Sequence, residues 1–392
     1  MVLYGRAAAV INLANIENNI RIVKSLAGRG KAVMAVVKAN GYGHGIFEVS
    51  RAAVSAGADW LGVATVMEGV FLRRWGIMVP ILVLSPVFEE EYENLIINNL
   101  SCTVFSLKAA QKLAYVAGYL EGRPVKIHIK IDTGMNRIGY SAKDIENTVN
   151  EILQISMLCV NNNIVLEGIY SHLATSDSGP EFAAEQFELF KAVLLRLKNC
   201  GVNIPIKHIS NSGGIINHAD FNEELDLVRA GVLQYGLAPN STRSGVNELS
   251  GLGFLPAMEL KSRVAFVKWV RKGESVGYSR NYVAKKDLLV ATVPLGYADG
   301  LSRKLSNRGR VLINGVYCDI VGNVCMDQFM VDATDAEPNV RDEVVIIGKS
   351  GDLSIFAEDI AFWQGSINYE VVTSVSERVP RFYPDTILRL IP

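Results

Sequence analysis

Lys38 follows the apolar run Ala32-Val33-Met34-Ala35-Val36-Val37 and precedes Ala39-Asn40-Gly41-Tyr42-Gly43-His44-Gly45. An amine at the end of an apolar strand, ahead of three alternating glycines, adds little stability. Few groups solvate it, and the loop cannot stiffen it. It is well placed for covalent chemistry. Removal from water lowers an ammonium pKa and frees the neutral amine, which condenses with an aldehyde such as pyridoxal phosphate. Alone, Lys38 would read as a strand-end lysine reaching into water; its neighbours argue otherwise.

Other residues able to do chemistry also fall at the ends of apolar runs. They are Lys130-Ile131-Asp132-Thr133-Gly134-Met135-Asn136-Arg137, Tyr170-Ser171-His172, His208-Ile209-Ser210-Asn211-Ser212-Gly213-Gly214 and Arg229-Ala230-Gly231-Val232. Singly, the histidines read as core residues, the arginine as an ion-pair partner and the Asn-Ser-Gly-Gly stretch as a turn. Together they form a cationic rim, with a serine hydroxyl and unobstructed amides that can donate to phosphate.

The elements that must position them are short β-rich runs at 32–38, 59–65, 80–85, 100–105, 125–132, 165–172, 206–211 and 225–232, alternating with amphipathic helices. Leu13, Ile16, Ile20, Val23 and Leu26 recur at helical spacing, as do Phe182, Gln186, Phe187, Phe190, Val193, Leu194 and Leu197 before Cys200-Gly201. Eight such strands predict a (β/α)8 TIM barrel over residues 1–244, with the polar residues at the C-terminal strand ends and phosphate taken by the loops after strands seven and eight. An open doubly wound sheet fits less well, because no GxGxxG opens a helix after the first strand. From about residue 245 helical periodicity fades. Runs at 258–270, 288–295, 310–320, 327–333 and 343–348 predict a mainly β C-terminal domain over 245–392, with a tight hairpin at Asn314-Gly315.

The chain has 392 residues, 49% hydrophobic and 20% charged, with a net charge of −1, which gives no general attraction to nucleic acid or anionic membranes. No apolar stretch approaches the ~20 residues of a membrane helix. Arg6 precedes only Ala7 to Ile11 before Asn12, too short a run for a secretory core, and a cytoplasmic location is expected. Five cysteines without CxxC spacing and five histidines without HxxxH or HxH spacing predict neither a disulfide framework nor a metal site.

The stretch Ala35 to Gly45 resembles the pyridoxal-phosphate attachment signature of bacterial alanine racemases, fold type III enzymes. So do Lys130 through Gly139, Glu167 through Ala174, Asn211-Ser212, Arg229 through Gly236, Gly296-Tyr297-Ala298-Asp299-Gly300, Cys325-Met326-Asp327-Gln328, Ile367-Asn368-Tyr369-Glu370 and Arg378-Val379-Pro380-Arg381. The resemblance implies that Lys38 carries the cofactor as a Schiff base. Tyr42, Ser212, Gly231, Val232 and Tyr369 would hold its phosphate, with Asn211 beside Ser212. Leu84 and His172 would line the ring, and Arg229 would face the ring nitrogen. Because arginine keeps its proton, that nitrogen would stay unprotonated and the cofactor would be a weaker electron sink.

Lys38 and Tyr278 would serve opposite faces of the substrate α-carbon. Tyr278 would arrive from the partner subunit of a head-to-tail homodimer, as would Met326, whose amide lies near the substrate carboxylate. Arg137 would bind that carboxylate, and Lys130 matches a family lysine whose carbamylation holds this arginine. Tyr297 and Tyr369 would narrow the entrance, with His208, Cys325 and Asp327 in support. The implied activity is interconversion of L- and D-alanine, supplying D-alanine for peptidoglycan. A serine or broader amino-acid racemase, a decarboxylase and a non-catalytic cofactor carrier are the alternatives. A decarboxylase would carry its cysteine in a Cys-Asp-rich motif, unlike Cys325-Met326-Asp327-Gln328, and a carrier would lack the β domain. One departure stands out: Tyr278-Ser279-Arg280-Asn281 lacks the glycine and threonine usual after this tyrosine.

Overall fold

The computed structural model describes residues 5–120 and 124–384. The chain divides into two compact units, one of residues 17–41 and 46–234, the other of residues 1–16, 42–45 and 235–392. Among the described residues, no helix is long and apolar enough to cross a membrane.

The first unit holds eight parallel strands: β1 (Ala32–Val36), β2 (Trp60–Val63), β3 (Ile81–Val83), β4 (Ser101–Val104), β5 (Val125–Asp132), β6 (Ile164–Tyr170), β7 (Ile206–His208) and β8 (Leu227–Ala230). Each pairs with the next as far as β7, and β8 pairs with β1. Between β7 and β8 the N–H of Asp226 donates to the Lys207 carbonyl (2.9 Å) and that of Arg229 to the Ser210 carbonyl (3.0 Å), which closes the ring. Strands covered by helices outside and by packed side chains inside must be apolar on both faces. All residues of β2, β3, β4 and β8 are accordingly buried; β2 and β3 read as continuous apolar runs rather than as alternation, while β4 and β8 bury Ser101, Thr103 and Arg229 as well.

Met34, Trp60, Leu82 and Leu227 fill part of the barrel interior. Gly168 on β6 makes room there: a Cβ at this position would stand 2.3 Å from Nδ1 of His128. The helix Pro180–Asn199 starts on a proline at its first turn and buries Ala183, Gln186, Phe187, Phe190, Val193 and Leu197. Each large apolar side chain among these contributes about 1.5–3 kcal/mol by leaving water. Gly201, at φ 83°, takes the left-handed conformation that ends the helix.

The second unit is built from β9 (Met258–Arg263), β10 (Phe266–Val270), β11 (Leu288–Val293), β12 (Arg310–Ile313), β13 (Val316–Asp319), β14 (Phe329–Asp332) and β15 (Glu343–Ser350). The chain's first strand, Ala7–Ile11, lies here too, antiparallel to β9 and parallel to Arg381–Phe382. One sheet runs β13-β12-β15-β9, then Ala7–Ile11 and Arg381–Phe382; a second runs β10-β11-β14. The apolar run 258–270 is therefore two strands. The chain changes sheet where Val264 N–H donates to the Asp342 carbonyl and Ala265 N–H to that of Thr292. At the predicted hairpin, Ile313 pairs with Val316, and Asn314 (φ 50°) and Gly315 (φ 74°) are both left-handed.

Three helices, Arg243–Gly251, Ala357–Gln364 and Asn368–Ser374, stand where no helical periodicity was legible. Each spans about two turns, too few repeats to show a period. The polar stretch Asn240-Ser241-Thr242-Arg243-Ser244-Gly245 begins the first of them, with Thr242 Oγ1 accepting the N–H of Gly245 at 3.1 Å.

Candidate active site

Lys38 leaves β1 half-buried at the C-terminal end of the barrel strand. Burial, then the positive charges of Arg137 and Arg229, lower its pKa, while Glu68 works in the opposite direction. The chain then turns left-handed at Ala39 (φ 53°, ψ 52°), Asn40 (φ 53°, ψ 46°) and Gly41 (φ 60°, ψ 46°). Asn40 supports the turn with Oδ1, which accepts Ile46 N–H at 2.9 Å. Glu68 supports it too: its Oε1 accepts Ala39 N–H at 2.7 Å. In the sequence Glu68 shows only a capping-box signature, Thr65-Val66-Met67-Glu68; both of its reciprocal bonds form at the start of Val66–Arg74.

Arg229 is buried in the same unit and, among the described residues, bonded to no carboxylate. Its Nη1 donates to His208 Nδ1 (2.8 Å), and its Nη2 donates among the carbonyls of Ser171 (2.9 Å) and Ile209 (2.8 Å) and Nδ1 of His172 (3.2 Å). A guanidinium only donates, so Nδ1 of His172 and of His208 must each present a lone pair. His208 is then neutral with its proton on Nε2, and donates to Nδ1 of His128 at 3.1 Å. His128 in turn must carry its proton on Nε2, which donates to Glu167 Oε2 at 3.3 Å. Burial, followed by Arg229 and other cations, pushes the pKa of His172 and His208 well down. Burial also lowers His128, opposed by Glu167. Against its own burial, Glu167 stays below the usual carboxyl range through hydrogen bonds from His128, Ser101 and Lys126. The Tyr170 ring stacks on His208 at 4.7 Å and takes the Arg229 and Lys130 cations over its face.

Lys130 is buried on β5, and its Nζ donates to the Ile131 carbonyl at 2.6 Å. Burial first, then Arg229, bring its pKa down to about 7. The following loop is shaped by Asp132, whose Oδ1 accepts the N–H groups of Gly134 (2.9 Å) and Asn136 (3.1 Å), and it presents Arg137 to solvent. Gln186 braces the rim: its amide nitrogen donates to Thr133 Oγ1 and the His172 carbonyl, both at 3.1 Å, and its oxygen accepts Ala174 N–H at 2.8 Å. Asp132 lies in the predicted Lys130–Arg137 stretch with no role of its own assigned, and Gln186 carries no functional signal in the sequence.

After β7, Asn211 caps the short helix Ser212–Asn217 through Gly214 N–H (3.0 Å), and Ser212 Oγ accepts Gly231 N–H at 3.0 Å. Ser212, Gly231 and the buried Val232 are thus brought together. Ser210, between them and His208, has a buried hydroxyl without a hydrogen-bond partner among the described residues. Leu84 follows β3, and its carbonyl accepts the Tyr170 hydroxyl at 3.3 Å.

The remaining predicted residues lie in the second unit. Tyr42 packs on Tyr235 (5.0 Å between ring centres) and near Tyr369 (6.2 Å), and burial raises its phenol to about 12. Gly43 is obligatory there, since a Cβ would meet the Val372 carbonyl oxygen at 2.1 Å. The Gly296-to-Gly300 motif is a scaffold: buried Asp299 accepts Gly296 N–H at 2.9 Å and pairs with Arg6, while Tyr297 N–H and Ala298 N–H bond to the Cys325 and Met326 carbonyls, each at 3.0 Å. Tyr297 and Met326 are thereby neighbours. Cys325 Sγ donates to the Asn323 carbonyl (3.5 Å), and Asp327 accepts from Arg378 (2.6 Å).

Tyr278 follows Gly277 (φ 75°), and its carbonyl accepts Asn323 Nδ2 at 2.8 Å. Ser279, where the family glycine is missing, nevertheless takes φ 59°, so the backbone keeps the shape that glycine would adopt without strain. Asn281 donates to Asn323 Oδ1 at 2.8 Å.

The model of the alanine racemase N-terminal domain matches residues 11–239, and that of the C-terminal domain matches residues 257–383. Alanine racemase 2 of Caldanaerobacter subterraneus is 44% identical over 377 residues, covering 95% of this chain and 93% of that protein. The solved alanine racemase of Clostridium difficile 630 superposes with a TM-score of 0.88 at 38% identity, over 97% of this chain and 96% of that one. That of Bartonella henselae, solved with covalently bound pyridoxal phosphate, gives 0.84 at 27% identity, over 97% and 100%. With both domains matched in order along nearly its whole length, the chain belongs to the alanine racemase family.

Proposed function

We propose that this protein racemises alanine with pyridoxal phosphate, using Lys38 of one subunit and Tyr278 of the other as its two bases. The observation that carries the reading is the environment of Lys38: an amine at a barrel strand end whose pKa is pulled down by burial and by two arginines. The residues around it suit that cofactor. A neutral amine meets an aldehyde, Ser212, whose Oγ accepts the Gly231 amide, keeps its own hydroxyl proton to donate to a phosphate, and buried Arg229, tied up by histidines and carbonyls, offers a fixed cation to a ring nitrogen. The orphaned Ser210 hydroxyl is a further donor in the same stretch. When bound, the cofactor supplies the electron sink that makes the substrate Cα–H acidic.

The protein's own residues then divide the work. Lys38 Nζ takes or returns a proton on one face of Cα, Tyr278 Oη of the partner subunit does so on the other, and Arg137 binds the carboxylate. His172 and His208, locked neutral, line Arg229 without competing for protons. A homodimer is supported by the exposure, in the single chain, of the side chains assigned to a neighbour's site or its entrance: Tyr278 is 71% exposed, Met326 52% and Tyr297 43%. In this reading the enzyme works in the cytoplasm, and its D-alanine supplies peptidoglycan assembly.

The test is α-hydrogen exchange from each alanine enantiomer in deuterated water. Lys38→Ala is expected to abolish exchange from both. Tyr278→Phe is expected to depress exchange from L-alanine far more than from D-alanine; equal loss from both would refute the two-base assignment.

A further inference from the structure

We propose that Glu68 is a positioning residue for Lys38, its carboxylate locking the left-handed turn Ala39–Gly41 that sets the direction in which Lys38 leaves β1. The proposal rests on the role given to Lys38 above, and starts from an unusual backbone. Five consecutive residues, Ala39 to Gly43, have positive φ, and three of them, Ala39, Asn40 and Tyr42, carry a Cβ. Such a residue is disfavoured by about tenfold in population relative to the right-handed form. Asn40 is compensated by its own side chain, through Ile46 N–H. Ala39 has no polar side chain, and its anchor is the 2.7 Å bond from its N–H to Glu68 Oε1.

The anchor is itself held. Glu68 Oε2 accepts the N–H groups of Ala64 (2.7 Å) and Thr65 (3.2 Å), while Glu68 N–H donates to Thr65 Oγ1 at 3.2 Å. One carboxylate thus joins the loop after β1 to the helix that follows β2. Each oxygen faces N–H donors, so glutamine cannot substitute in either flip: its amide nitrogen would confront a donor. Glu68 also opposes the fall in the Lys38 pKa, so its loss removes both direction and charge.

A simple helix cap would explain the Thr65 bonds but not the dependence on Ala39. Three variants separate the roles: Glu68→Gln, Ala39→Val, and Glu68→Gln combined with Ala39→Gly. In the apoprotein, amide hydrogen exchange at Ala39 to Gly41 and the titration of 13C-labelled Lys38 are followed; in the holoenzyme, kcat and KM. Glu68→Gln is expected to speed exchange in the turn, lower the Lys38 pKa and reduce kcat by about tenfold with a smaller change in KM. Ala39→Val, which leaves the cap intact but makes the turn costlier, should reproduce the exchange and kcat effects. Glycine at 39 takes the turn without strain and should restore most of kcat and of the protection, but not the Lys38 pKa.

If Ala39→Gly fails to rescue, or exchange at Ala39 is unchanged in Glu68→Gln, the proposal is overturned and Glu68 is a cap alone. Failure of the Lys38 reading itself would show separately, as borohydride fixing the cofactor to another side chain; the exchange result in the apoprotein would stand regardless.

Discussion

Lys130 and Lys38 are both buried amines, and burial acts on them alike; their neighbours make them different. Lys38 stands at a strand end with Glu68 partly restoring its charge, whereas Lys130 lies within β5 with its pKa near 7. At neutral pH much of Lys130 is therefore the free amine, the form that adds carbon dioxide to give a carbamate with release of one proton. We expect such an adduct, visible by carbon NMR in labelled bicarbonate. Its occupancy should rise as pH climbs through about 7, where the amine loses its proton, and fall on acidification. A Lys130 signal indifferent to bicarbonate at pH 8 would rule this out. In the sequence Lys130 stands out only through the family motif it matches; nothing local in Ile129-Lys130-Ile131 announces a depressed pKa. That property comes first from the packing that removes water and then from Arg229, almost a hundred residues away.

At the scale of elements, β5, β6, β7 and β8 each contribute one member of the line Glu167–His128–His208–Arg229, and the guanidinium at one end dictates the protonation of all that follow. Nitrogen NMR of labelled protein at neutral pH should show His128, His172 and His208 as neutral Nε2–H tautomers. A protonated Nδ1 on His208 would contradict the geometry. The line needs the gap that Gly168 leaves. Gly168→Ala is expected to cost about 1–3 kcal/mol in a denaturant melt and to disturb the His128 signal, because the new methyl meets the imidazole. Strands such as β2 and β3 were legible because parallel strands buried on both faces leave unbroken apolar runs. Strand ends at Lys38, His172 and Arg229 were legible for the same reason, as polar residues that interrupt those runs. Glu68, Asp132 and Gln186 were not, since each acts through a backbone N–H or carbonyl whose position depends on another loop.

At the scale of the whole molecule, the three buried neutral histidines set the acid limit of stability. Each has a folded pKa below its ordinary value of 6.5. As pH falls through 6.5 the unfolded chain binds protons that the native chain refuses, so their stabilising effect is complete above that pH and lost below it. Each can contribute up to about 1.4 kcal/mol per pH unit to the slope. Urea midpoints should therefore drop steeply between pH 6.5 and 5, and less so in His128→Gln; a flat profile would show these groups titrating normally. The proposed shared site makes its own prediction. Lys38→Ala and Tyr278→Phe, each inactive in L-to-D conversion, should regain activity when their subunits are exchanged, reaching roughly a quarter of wild-type sites on statistical mixing. Absence of complementation in mixed dimers would place both bases in one subunit.

What the residues settled unaided was whatever depends on local pattern: two kinds of chain texture, the left-handed pair at Asn314-Gly315, the run of strands, and the family motifs around Lys38, Arg229 and Tyr278. The folded chain decided the rest. It sent Ala7–Ile11 to pair with β9 and Arg381–Phe382, because backbone hydrogen bonds must find partners and a five-residue strand carries no mark of which sheet will offer them. It divided the 258–270 run between two sheets, tied Asn281 to Asn323, and gave Glu68 its hold on Ala39. Hydrogen bonds and electrostatic shifts act over a few ångströms, and only folding brings residues far apart in the chain within that reach.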